Sequence, residues 1–218
     1  QDMDKFSSSL SNLVKEEAKS ALLSAMGNLD LEAESVESVN KRSSILSDGK
    51  IIAEIGDGGI SDVNEMASAG SIDLNTTGEL AASHISSLTD VKVKAKAVSV
   101  DLIEAQGGDL DITATQGDLK SVTLSAKGEL NAIAHKLVDL GTVFAEGNIT
   151  LVGQVHKIGT ALAGVDFSAS NTASSTRFKS GAKDIKVTAV DEKEGLANAG
   201  EILGGNYVAT GNVILSSE

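Results

Sequence analysis

Two stretches decide the fold: Gly108-Asp-Leu-Asp-Ile-Thr-Ala114 and, 20 residues on, Gly128-Glu-Leu-Asn-Ala-Ile-Ala134. Each opens on a turn residue, alternates polar with apolar side chains and closes on a small one. The same unit stands at Gly70-Ser-Ile-Asp-Leu-Asn-Thr76, Thr89-Asp-Val-Lys-Val-Lys-Ala95 and Gly147-Asn-Ile-Thr-Leu-Val-Gly153. The starts at 70, 89, 108, 128 and 147 lie 19, 19, 20 and 19 residues apart. Chance alternation does not hold such a spacing, so the chain is read first as a repeat. An earlier copy spans Gly27–Ala33, and a degenerate one near Gly49 carries Ile51 and Ile52. Looser copies follow at Ala163–Ala169, Lys183–Ala189 and Gly211–Ser217.

Strict alternation is the signature of a strand with one buried face. A second alternating run sits about ten residues after each start, at Val98, Val100 and Leu102, at Val122 and Leu124, and at Val138 and Leu140. Two short strands per 19 residues are too little for ordinary hairpins. A repeat that cannot bury its apolar side alone must stack on its neighbours. The expectation is an all-β, single parallel β-solenoid whose coils pair about 4.8 Å apart. Residues 27–218 then supply about ten coils, a rod of roughly 45–50 Å on that rise.

Composition agrees. The 218 residues contain no proline, where average usage of about 5% predicts roughly ten. Proline cannot donate to a ladder, and a chain that is nearly all ladder has few places for it. Four Phe, one Tyr and no Trp leave a core of small aliphatics, which suits a narrow, regular interior. A β-sandwich of short antiparallel strands also alternates, but the constant period and the missing aromatic core argue against it. The formal net charge of −13 points away from nucleic acid and from an anionic membrane surface. No stretch approaches 18 apolar residues, so no membrane insertion is expected. The absence of cysteine excludes disulfides and thiolate metal sites. A start at Gln1, with no signal peptide, reads as a processed product or an excised fragment.

The flanks depart from the repeat. Met3, Phe6, Leu10, Leu13, Ala18, Ala21, Leu22 and Ala25 recur at helical spacing, and Gly27 stands where a helix would stop. Residues 1–26 are therefore expected to form an amphipathic α-helix capping the solenoid, with a partner-binding helix as the alternative. At the other end Val213, Ile214 and Leu215 run to Glu218 in mid-coil, which predicts a longer array or a covering molecule. Residues 171–180 and 191–204 break the rhythm and read as loops outside the coil.

Site chemistry is sparse. His84, His135 and His156 match no metal-ligand spacing and read as surface or turn residues. Gly56-Asp-Gly-Gly59 and Gly107-Gly-Asp109 are similar to calcium-binding nonapeptide loops, yet they do not recur every nine residues and read as turns. Asp101 with Glu104, or Asp109 with Asp111, could supply the carboxylate pair of a glycan-cleaving β-helix. Evenly spread outward acids and the lack of aromatic platforms favour a solvated strand face instead. No Thr-x-Thr ladder at the repeat spacing suggests ice binding. The expectation is a non-enzyme with no catalytic, cofactor or metal residues and no cofactor.

The units at Gly108–Ala114, Gly147–Gly153 and Gly211–Ser217 resemble the repeats of filamentous haemagglutinin and of the large exoproteins of two-partner secretion and contact-dependent inhibition systems. Those repeats are similarly rich in Gly-Asn or Gly-Asp starts followed by alternating aliphatics. The likeness is good over 70–218 and loose over 27–69. It implies a right-handed β-helix, secreted by or displayed on a Gram-negative bacterium after passage through an outer-membrane transporter. Such a helix would be a structural or adhesive shaft that meets a receptor on a host or neighbouring cell. The family's secretion domain and toxic domain are not recognisable here. A filament subunit self-associating end to end is the alternative function, and a carbohydrate-active β-helix enzyme the third.

Overall fold

The computed structural model describes residues 22–38, 42–168, 176–190 and 200–217. All of the regular structure among them is β. The strands are β1 (Leu22–Ala25), β2 (Leu29–Glu37), β3 (Ser44–Ser47), β4 (Ile51–Ser68), β5 (Ile72–Thr76) and β6 (Leu80–Ser87). Then come β7 (Val91–Ala95), β8 (Val98–Ala105), β9 (Leu110–Ala114), β10 (Leu119–Ala126), β11 (Leu130–Ala134) and β12 (Leu137–Ala145). The last are β13 (Ile149–Gly153), β14 (Val155–Ala163), β15 (Ile185–Ala189), β16 (Glu201–Ile202), β17 (Asn206–Ala209) and β18 (Val213–Ser217).

Every pairing between these strands is parallel and joins one coil to the next, so the chain is a β-solenoid. The quoted repeat forms one face. Its ladder runs from β2 through the start of β4, then β5, β7, β9, β11, β13, β15 and β18, nine rungs in all. Nine rungs stand against the roughly ten coils expected, and eight spacings of about 4.8 Å make a rod of about 38 Å.

The second strand of each coil makes two faces rather than one. In β10 the inward residues are Leu119, then Leu124 and Ala126, so the alternation slips by one at the corner. Val122 occupies that corner and is 63% exposed, which corrects its expected place beside Leu124 in the core. In β8, likewise, Ile103 rather than Leu102 is the buried residue. A strand that bends sharply must lose one step of its pleat, and sequence alternation read across the bend mistakes the phase.

Inward side chains form continuous aliphatic columns. One runs Leu29, Ile51, Ile72, Val91, Leu110, Leu130, Ile149, Ile185 and Val213. Ile52, read together with Ile51 from the sequence, points outward and is 42% exposed. The degenerate coil near Gly49 is thus in full register. Its length differs because Gly56–Gly59 forms a bulge where Ala33 and Ser35 face Ile55 and Gly59. Gly59 takes φ 68°, and a Cβ there would lie 2.3 Å from the Glu79 carbonyl oxygen, so only glycine fits.

The turns are laddered too. Gly70 N–H donates to Gly49 O at 2.7 Å, Gly128 N–H to Gly108 O at 2.7 Å and Gly147 N–H to Gly128 O at 2.8 Å. With donors used even in the turns, the lack of proline has a direct cause. The Asp or Asn that follows the turn residue adds a second ladder. Asp90 Oδ1 accepts from Asp109 N–H, and Asp109 Oδ1 from Glu129 N–H, both at 2.8 Å. Asn148 Oδ1 accepts from Asp184 N–H at 2.9 Å and Asp184 Oδ1 from Asn212 N–H at 2.7 Å. Replacing Asp109 with alanine orphans one such donor. The expected result is a thermal midpoint lower by about 2–4 °C, from roughly 1 kcal/mol lost, with the far-UV spectrum unchanged.

A buried serine stack marks the early coils. Ser47 and Ser68 hydroxyls donate to the Gly27 and Gly49 carbonyls at 2.5 Å, and Ser87 does the same to Gly70. Further along, the same column holds Ala105, Ala126, Ala145 and Ala163.

Three expectations are corrected. Residues 22–25 of the expected helix form β1, with Leu23 in register with Ile45, while residues 1–21 lie outside the described ones. Pairing to β3 satisfies that backbone, and tertiary stacking overrides local helical spacing. The loose copy at Ala163–Ala169 is not a rung, because the partner of β13 is β15. The loop expected over 191–204 is shorter on its far side, since Glu201 and Ile202 pair with Val155 and His156.

Candidate contact surface

The coil regularity is broken most by the segment between β14 and β15, residues 164–184, where the coil below passes from Ala145 to Ile149 in three residues. Of it, 169–175 lie outside the described residues. The rest is built on an antiparallel bridge between Val165 and Phe178, the reverse of the parallel pairing of the coils. Asp166 N–H donates to Arg177 O and Lys179 N–H to Gly164 O, both at 2.8 Å. The segment leans on the coil below through Phe167, whose ring centroid is 6.1 Å from that of Phe144. Lys179 Nζ donates to Glu146 Oε1 at 2.5 Å, and that hydrogen bond, more than the charge, holds its ammonium above the usual lysine range. The Ser168 hydroxyl and N–H both donate to Asp166 Oδ1, holding that carboxyl below its ordinary range. The described parts of this segment thus have short-range order of their own against the coil below, outside the repeat, and non-repeating segments are the usual place for contact residues. Of the loop expected at 171–180, residues 171–175 lie outside the described residues, and 176–180 belong to this bridged segment.

Of the carboxylates singled out as possible acids, Asp109, Asp111 and Glu104 meet groups on neighbouring coils. Asp109 holds the Glu129 amide, and Asp111 Oδ1 accepts from Asn131 Nδ2 at 2.8 Å. Asp101 sits at the bend between two faces and Glu104 beyond it, so the bend separates them. Glu104 instead meets His84, whose Nε2 is 3.6 Å from it and whose Nδ1 is 4.0 Å from Glu65. Among the described residues no three His, Asp or Glu side chains are arranged to hold a metal ion. Gly56–Gly59 belongs to the bulge and Gly107–Asp109 to a turn of the ladder.

Two shallow depressions mark the repeat face and its edge. One, of about 410 Å³, is lined by Thr113, Ile133, Val152, Val190, His135 and Gln154 and has no carboxylate in its wall. The other, of about 500 Å³, is acidic, lined by Glu32, Glu34 and Glu54, with Glu54 Oε2 taken by Asn75 Nδ2 at 2.7 Å.

Charge is uneven along the rod. Residues 22–79 hold 11 acids and three bases, a net −8, whereas residues 80–190 hold 11 of each. Residues 164–184 thus belong to the balanced part.

His156 is the one candidate whose place was misjudged. It is wholly buried inside the solenoid, not in a turn or on the surface. A histidine in an inward position of an alternating run was the available signal. The fold and these features define a parallel β-solenoid protein. Against protein-family models, curated proteins and solved structures, the chain finds no match.

Proposed function

We propose that this chain is a shaft segment of a bacterial exoprotein, secreted or held at the outer surface of a Gram-negative cell, that presents the segment at 164–184 for contact with another cell. The observation that carries the reading is a long non-repeating segment between β14 and β15, tied by Val165–Phe178 and Lys179–Glu146 to an otherwise parallel ladder of coils. A solenoid with a continuous core transmits position along its axis, which suits a spacer. The likeness of the Gly-Asn and Gly-Asp starts to filamentous haemagglutinin repeats supports passage through an outer-membrane transporter and a receptor on a host or neighbouring cell. No catalytic role is proposed.

Replacing residues 164–183 with Glu-Gly, the link between Ala145 and Asn148 in the coil below, tests this directly. The far-UV spectrum should stay that of the parent, while adhesion to a panel of epithelial and bacterial cells falls at least tenfold. Undiminished adhesion by the shortened chain would remove the segment from the contact. Growth of the parent in sedimentation with rising concentration would favour an end-to-end filament subunit instead. Release of sugars from a glycan panel, lost on alanine replacement of Asp101 and Glu104, would favour the enzyme.

A further inference from the structure

One inward column runs Leu80, Val98, Leu119, Val138, His156 and Ile202. Five positions are aliphatic and one is an imidazole with no exposed surface. Its Nε2 is 2.8 Å from the carbonyl oxygen of Thr188 on β15. A carbonyl can only accept, so the neutral ring carries its proton on Nε2. Nδ1 is then a buried lone pair, and it has no hydrogen-bond partner.

Among the described residues no opposite charge is placed to receive a second proton. The charged groups on the strands packed around the ring are Asp139 of β12, Lys157 of β14, Lys186 of β15 and Glu201 of β16, while β13 has none. All four occupy the outward positions of their strands, and Lys157 lies 3.9 Å from Asp139. The Tyr207 hydroxyl of β17 donates to Gly204 O at 3.1 Å. The ring also sits at a junction. It pairs by backbone with Ile202 above and by side chain with Thr188, so it joins β14 to both β15 and the last coil.

We propose that His156 is an acid-sensitive latch for the carboxy-terminal coil, residues 200–217, holding that coil down while neutral and releasing it when Nδ1 takes a proton. This goes beyond the shaft reading and does not depend on it. A cation in an aliphatic column without an opposite charge is costly, and the interface that carries the cost is the one between β14 and residues 200–217. Burial pulls the imidazole below its ordinary value of 6.5, against the opposing backbone groups of Thr188 and Gly153. An opened end restores the ordinary value. The latch is therefore at full strength above about pH 6.5 and weakens as pH falls from there towards the depressed value, by up to tenfold per unit.

Amide hydrogen exchange of the whole chain at pH 7.5 and pH 5.0, corrected for intrinsic rates, tests this. Protection of residues 200–217 should fall at pH 5.0 relative to that of residues 91–153, by up to tenfold for each unit below about pH 6.5. His156→Leu, which matches its column, and His156→Gln, which keeps a donor for Thr188 O, should each abolish the difference. His84→Gln and His135→Gln should keep it. An acid-induced loss that persists in both His156 variants, or its absence in the parent chain, overturns the proposal.

Discussion

Replacing Ile112 with aspartate should divide the solenoid at its middle. Ile112 is 1% exposed and stacks between Val93 of the coil below and Ala132 of the coil above. A carboxylate there meets only aliphatic neighbours, and the ladder keeps the strand from turning it outward without flipping every residue of β9. An unpartnered buried charge is among the few changes that cost about 4 kcal/mol or more. The coils are coupled only to their neighbours, so the damage should be local at first. The expected result is a lower denaturation midpoint by circular dichroism. It should come with lost amide protection over 91–134, deeper than over 149–163. A midpoint equal to the parent's would mean that the columns are not the source of stability.

Truncating Leu124 to alanine should have the next largest effect. Its side chain is fully buried, with Ile103 and Val143 as its ladder neighbours. Those neighbours are pinned by parallel hydrogen bonds on both sides and cannot slide into the space. The cavity should therefore survive, at a cost of about 2–5 kcal/mol read from chemical denaturation. Leu124→Met, which nearly conserves volume, should recover most of the loss, to within about 1.5 kcal/mol of the parent. Equal losses for alanine and methionine would point to backbone distortion rather than packing.

Both predictions treat the solenoid as a one-dimensional stack. Among the described residues β18 is paired on one side, with β15. Val213 and Leu215, core residues by position, are 42% and 47% exposed. The proposed latch at His156 works on that last interface, and the proposed contact loop leaves the rod one coil below it.

Much of the fold was legible before any coordinates. Gly108–Ala114 and Gly128–Ala134 form β9 and β11 and pair in the register their spacing predicts, Leu110 with Leu130 and Ile112 with Ala132. The Gly-Asp and Gly-Asn starts, seen only as turn signals, gain a second meaning as backbone-binding ladders. That meaning was hidden because it joins a side chain to an amide about 20 residues away. The bend inside β10 was misread because a phase slip at a corner leaves no separate mark when Val122 looks like any inward valine. Residues 22–25 fall in the 1–26 stretch expected as helix because Leu22 and Ala25 continue its spacing, yet four residues alone satisfy either period.

The sequence by itself determined the parallel stack: a constant period with strict alternation leaves each coil no other way to bury its apolar side. Only the tertiary structure decided which residues bend the coil, which segment leaves it, and where each polar residue lies. Ala163–Ala169 carries a rung-like pattern but forms part of the non-repeating segment, because β15 already occupies the place above β13. His156 reads like a surface residue until the ladder with Val138 and Ile202 encloses it. Period is a local property repeated along the chain. Occupancy of a rung and burial in a column depend on what the neighbouring coils leave free.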